Sequence, residues 1–259
     1  MPRWTRLRAG FITALGVITI ATPAVQTQPP PIVRVEQWRD GRSLTSTFDD
    51  RQIEILEKLN RADRNHLNEL RTLVIPEAWD GDPRAYAVVP HEYPASAAFP
   101  KFLVVYLPGQ LFAAYESGWL VRWGPVSSGG RTTPTPGGFF TLNWKSIGHR
   151  STVNPDWFML WYFNFDNQGG LALHEYPLVG APVSHGCLRL LPRDAAWLFQ
   201  WGDQWVLDAE GERVARPGTP VFVVGAYDFD APPPWRAPAW LSRIVELPVP
   251  PALTTGGAS

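Results

Sequence analysis

Cysteine is nearly absent: Cys187 is the only one in 259 residues. A single thiol excludes an intrachain disulfide and a cysteine-rich metal site. Charge excess is missing as well. Lys and Arg total 23 against 24 Asp and Glu, a net charge of −1, so the chain lacks the basic stripe that nucleic-acid binding requires. Lysine is reduced to Lys58, Lys101 and Lys145, and arginine carries the remaining positive charge. No histidine follows Cys187. Beyond the N-terminal stretch, no apolar run approaches the roughly 20 residues that span a bilayer. Proline (27) and glycine (22) are plentiful, which favours turn-rich β structure over a helical bundle. A hydrophobic share of 45% against 18% charged residues suffices to bury a core, in one or two domains.

Arg3, Arg6 and Arg8 precede an apolar run from Phe11 to Ala21, and Thr22-Pro23-Ala24 offers small residues for cleavage. This is the order of a secretory signal. It predicts a signal peptide over 1–24, export to the periplasm or cell wall, and no stable membrane insertion after cleavage. No cysteine follows the run, which excludes a lipoprotein anchor. Export sharpens the question of Cys187, because a lone thiol in an oxidising compartment is either buried and inert or kept because it reacts.

Residues 25–47 read as a linker, proline-rich from Val25 to Pro31. Ile53, Leu56, Leu59, Leu67 and Leu70 fall at helical spacings, with Asp49 or Asp50 available as a cap and a polar break over Asn60–Asn65. Val74 to Pro76 reads as a short terminal strand. Leu56-Glu57-Lys58-Leu59-Asn60, Leu67 and Leu73-Val74-Ile75-Pro76 resemble the second half of a LysM peptidoglycan-binding module. A generic helical segment over 48–78 explains the same pattern. From Phe99 the texture turns to short strands and tight turns: Phe102–Leu107, Leu111–Tyr115, Leu120–Val126, Phe139–Trp144, Phe158–Phe165, Gly170–His174 and Pro220–Val224. Pro192–Trp201 has helical spacing, with Asp194 in the first turn where a carboxylate suits the helix dipole. Trp197, Trp201 and Trp205 read as packing on that helix and its exit. Asp203–Pro217 reads as an insertion tipped by an exposed hairpin, and 226–259 as a proline-rich tail, extended, packed or disordered.

The chemistry converges on Leu173-His174-Glu175-Tyr176-Pro177 and Ser184-His185-Gly186-Cys187-Leu188-Arg189-Leu190. A cysteine becomes a good nucleophile when an imidazolium or backbone N–H groups stabilise its thiolate. His174 and His185 are the local candidates for the base. Gly186 lets the backbone approach a substrate carbonyl, as an oxyanion site needs. Any base must precede the cysteine, which excludes the papain-like and NlpC-like orders. His66, His91 and His149 read as surface or loop residues. His174, His185 and Cys187 have no obvious fourth partner for zinc, so neither metal nor cofactor is expected.

Four ordered blocks go further: Thr135-Pro136-Gly137-Gly138-Phe139-Phe140, then His174 with nine residues before Ser184-His185-Gly186-Cys187-Leu188-Arg189-Leu190, then Asp194-Ala195, then Gly218-Thr219-Pro220-Val221. Together they make Phe102 to about Gly225 similar to the L,D-transpeptidase catalytic domain, also called the YkuD domain. The resemblance implies a mainly β, sandwich-like catalytic domain over 99–225 with a short helix after the cysteine motif, preceded by a small helical or LysM-like α+β segment. It implies Cys187 as nucleophile and His174 as its base, oriented by a backbone carbonyl just after it. Ser184 and His185 shape the site, the Gly186 and Cys187 amides form the oxyanion hole, and Arg189 orders the loop or meets a substrate carboxylate. The implied partners are peptidoglycan stem tetrapeptides, joined through a Cys thioester into 3→3 cross-links. Hydrolysis, attachment or release of wall-bound protein, and non-catalytic wall binding are the alternatives. Glu175 departs from the pattern, which often has glycine after the first histidine; the side chain either perturbs His174 or lies outward.

Overall fold

The computed structural model describes residues 28–38 and 42–250. The expected signal segment lies outside them. No helix among the described residues is long and apolar enough to cross a membrane.

The first unit runs β1 (Val33–Gln37), α1 (Leu44–Thr47), α2 (Asp50–Asn60), α3 (Arg64–Leu67) and β2 (Thr72–Pro76). Asp49 caps α2 in a reciprocal box with Gln52, satisfying donors that the first turn leaves open. The helix stops at Arg61, whose φ of 57° is left-handed. The expected linker over 25–47 is corrected here: it contains β1, paired antiparallel with β2 from Val33–Pro76 to Gln37–Thr72, and α1. Both elements are short and largely solvent-facing, so their apolar periodicity is too weak to announce them.

The remaining strands are β3 (Phe102–Tyr106), β4 (Leu111–Glu116), β5 (Trp119–Ser127), β6 (Gly138–Thr141), β7 (Lys145–Arg150), β8 (Phe158–Asp166), β9 (Leu171–Glu175), β10 (Leu188–Leu190), β11 (Val206–Leu207), β12 (Val214–Arg216) and β13 (Pro220–Val224). Helices α4 (Pro192–Trp201) and α5 (Pro238–Leu241) complete the elements. Nine strands form one curled sheet in the order β6-β13-β3-β4-β5-β10-β9-β8-β7, so the fold is mainly β. Cover on both faces of the sheet explains why β3 is apolar at every position. Phe102 and Val104 enter one buried cluster while Leu103 and Val105 enter another, because alternate side chains leave opposite faces and both faces are covered. α4 packs on the inner cluster through Ala195 and Leu198. The β11–β12 hairpin is exposed, as the polar tip of the insertion predicts.

The outer cluster joins α2 and the segment after β13 to the sheet. Ile55 and Leu59 of α2 share it with Trp123 of β5 and with Trp235, Trp240 and Leu241. Residues 226–250 are therefore packed rather than loose. Lys58 Nζ donates to the Trp123 carbonyl at 2.7 Å and lies 3.5 Å from Asp194 Oδ1, which Arg122 also meets at 2.7 Å. Arg61 is buried between the rings of Trp123, Trp235 and Trp240, 5.7–5.9 Å from their centroids, and donates to the Gly109 carbonyl at 3.0 Å.

Candidate active site

Strand β9 delivers His174, and parallel pairing with β10 sets Arg189 opposite it and Leu188 opposite Leu173. The chain between the two strands holds Ser184 to Cys187. That loop turns on Gly186, whose φ of 104° belongs to glycine. Ser184 Oγ donates to the Cys187 carbonyl at 2.5 Å and accepts from the Gly186 N–H at 3.1 Å. The segment after β5 clamps the loop from outside. Thr135 Oγ1 donates to the Gly186 carbonyl at 2.7 Å and accepts from the Gly129 N–H at 2.9 Å. The Gly130 N–H reaches the Ser184 carbonyl at 2.8 Å.

Cys187 and His174 line one cavity of about 300 Å³, together with Ser184, His185 and Arg189. His174 Nδ1 is 2.9 Å from the carbonyl of Glu175. A carbonyl only accepts, so Nδ1 carries the proton and Nε2 of the neutral ring is the basic nitrogen. Arg189 lies 4.7 Å over the Tyr176 ring and donates to the Val183 carbonyl at 3.3 Å, tying the loop to β10. His185 is exposed and rests on Trp157, 4.9 Å between ring centroids.

The family model of the L,D-transpeptidase catalytic domain matches residues 100–223. These residues are a YkuD domain. Similar solved structures include an L,D-transpeptidase from Stackebrandtia nassauensis, 25% identical with a TM-score of 0.41, covering 49% of this chain and 57% of that one. One from Mycobacterium smegmatis is 23% identical with a TM-score of 0.39, covering 49% and 59%. The L,D-transpeptidase from Xylanimonas cellulosilytica is 22% identical with a TM-score of 0.45, covering 66% and 78%. The chain thus spans less than two thirds of the first two relatives. No curated protein matches it.

Within the YkuD domain, burial governs protonation. It lowers the His174 imidazole to about 4, against a smaller raising effect of the Glu175 carbonyl. It pushes the Cys187 thiol above its ordinary value, opposed by the Ala172 N–H and the Arg189 charge. Both groups are neutral at pH 7. The Gly186 N–H, expected in an oxyanion pair, is engaged by Ser184 Oγ, leaving the Cys187 N–H as the candidate of the two.

The far wall of the cavity is aromatic and includes a residue read from sequence as surface or loop. His149 sits on β7, pairs across the hairpin with Met159, and stacks 4.3 Å from Tyr162, which lies 5.0 Å from Trp144. Cross-strand partners share a face of the sheet, so pairing with Met159 turns His149 inward. A bulge between Leu160 and Phe163, with Trp161 at φ 53°, shifts the alternation and brings Tyr162 onto the face of Met159. A left-handed φ on a bulky residue was not readable from the strand pattern. The aromatic run from Phe158 to Phe165 is the available signal, and in sequence it marks a strand without marking this wall.

Glu175 lies outward. It pairs with Leu160 and follows His174 on β9, so its side chain leaves the face opposite to the cavity.

Proposed function

We propose that this protein is an exported cysteine L,D-transpeptidase that joins peptidoglycan stem peptides by 3→3 cross-links. The observation that carries the reading is a thiol and an imidazole on one cavity, with the imidazole Nδ1 held by a backbone carbonyl and Nε2 left as the base. The two groups are neutral at rest, so the thiol transfers its proton to His174 Nε2 as Sγ attacks. The target is the carbonyl between the diamino acid and the terminal D-Ala of a stem tetrapeptide. The negative charge that develops on its oxygen is met by the Cys187 N–H. The His174 imidazolium protonates the departing D-Ala amine, and a Cys187 thioester remains. An amine of a second stem attacks the thioester, gives its proton to Nε2, and restores the thiol. Ser184 and Gly186 hold the nucleophile loop in shape, Arg189 ties that loop and favours the thiolate by charge, and His185 shapes the rim with Trp157.

Incubation with disaccharide tetrapeptides, read by mass, tests the reading. Dimers lacking one D-Ala are the expected product. Tripeptides alone would make the enzyme a carboxypeptidase, and unchanged tetrapeptide would end the catalytic reading.

A further inference from the structure

A second cavity, of about 450 Å³, lies on the opposite face of β8 and β9. Its walls come from both parts of the chain: Glu57, Asp63, Arg64 and Asn65 on one side, Phe158, Leu160 and Glu175 on the other. Tyr176 lines this cavity and the Cys187 cavity alike, so the two adjoin around one ring. Phe158 and Leu160 stand 50% and 38% exposed, an apolar surface that the N-terminal helices border without covering. The carboxylates differ in what they meet. Glu57 pairs with Arg193 and accepts from the Arg64 N–H. Asp63 caps α3 and takes the Leu178 N–H. Arg64 pairs with Asp50. Among the described residues no cation pairs with Glu175; burial alone acts on its carboxyl and raises it.

We infer that this cavity is a binding site for a second stem peptide, held by its side-chain ammonium group against the Glu175 carboxylate and by its small apolar side chains against Phe158 and Leu160. The inference rests on the peptidoglycan reading above for the identity of the peptide. The occupant follows from charge complementarity: a trough with an apolar floor and one unmatched carboxylate, Glu175, suits a side-chain ammonium group. Glu175 faces away from His174, so the bound amine is not the one that attacks the thioester. The site anchors a neighbouring stem while the Cys187 cavity works on another.

The test uses the full chain with Cys187→Ala, so that nothing is turned over. The probe is an L-Ala–γ-D-Glu–diamino acid tripeptide acetylated at its N-terminus, with the analogue acetylated also on the side-chain amine beside it. Amide chemical shifts report the place and a titration reports the affinity. Shifts at Asn65, Leu160 and Glu175 are expected, with affinity falling about tenfold for Glu175→Gln and for the side-chain-acetylated peptide. Phe158→Ala, a change at a half-exposed side chain, should weaken binding as well. Shifts confined to His149, Gly170 and His185, or affinity unaltered by Glu175→Gln and by side-chain acetylation, would overturn the inference. The two readings fail separately. Tetrapeptides left unchanged while Glu175-dependent binding persists would remove the reaction and keep the site. Dimer formation with no such binding would do the reverse.

Discussion

At pH 7 the Cys187 thiol and the His174 imidazole are both uncharged, because burial disfavours the charged form of each. In the proposed mechanism the pair therefore exchanges its proton during attack rather than resting as an ion pair. Two consequences are measurable. Iodoacetamide should label Cys187 slowly at pH 7 and faster only as pH rises past the ordinary thiol range. Turnover per substrate encounter should stay level down to about pH 5 and fall through about 4, where His174 gains a proton; His174→Ala should cost about 10²–10⁴-fold at pH 7. A pH profile centred near 6.5 would contradict the burial argument. His149 belongs to the opposite wall, stacked on Tyr162. Since an aromatic contact is worth about 0.5–1.5 kcal/mol, His149→Ala should raise KM a few-fold and leave kcat nearly unchanged. A loss of kcat equal to that of His174→Ala would place the base on β7.

At the scale of elements, the loop that carries Cys187 is shaped from outside itself. Thr135 both accepts from Gly129 and donates to the Gly186 carbonyl, and is buried. Thr135→Val keeps the volume and removes both bonds, and a buried polar group left unpaired costs about 1–3 kcal/mol. The melting temperature should fall by several degrees, and acylation of Cys187 by a stem peptide should slow, read by intact-protein mass. Unchanged acylation in a destabilised variant would mean that the loop holds its own shape. The β11–β12 hairpin has no part in this clamp, and none of its residues lines either cavity.

For the molecule as a whole, the N-terminal unit and the segment after β13 meet at Arg61. Its guanidinium is buried among three tryptophans, and burial lowers it to about 9. Removing it leaves the Gly109, Lys58 and Leu59 carbonyls without their donor and opens a void beside Trp235. Arg61→Ala should lose about 3–5 kcal/mol in urea unfolding, whereas Arg64→Ala, at an exposed pair with Asp50, should lose about 0–1 kcal/mol. Equal losses would deny Arg61 its role. The folded state also carries a pH signature from His174. Its folded value of about 4 lies below the ordinary 6.5, so the unfolded chain takes the proton first as pH falls. Stability is complete above 6.5 and declines between 6.5 and 4, by up to about 3 kcal/mol. His174→Gln should flatten that part of the curve.

The residues that meet at the candidate site were legible one by one. A lone cysteine, a glycine before it, and histidines confined to its N-terminal side are local facts, and motif order along 120-odd residues carried the family. The long apolar strands were equally legible, since burial on both faces leaves a continuous run. What stayed hidden depends on contacts between distant residues. β1 is largely solvent-facing and β10 is only three residues long, and both exist through their partners. His149 faces the cavity only because of its register with Met159, and Tyr162 only because of the bulge at Trp161. The Gly186 amide met a serine two residues away, a choice made by the folded loop. Glu175 was open to either face in sequence. Pairing with Leu160 turned it from His174, because in a strand one residue of register decides which side of the sheet a side chain occupies.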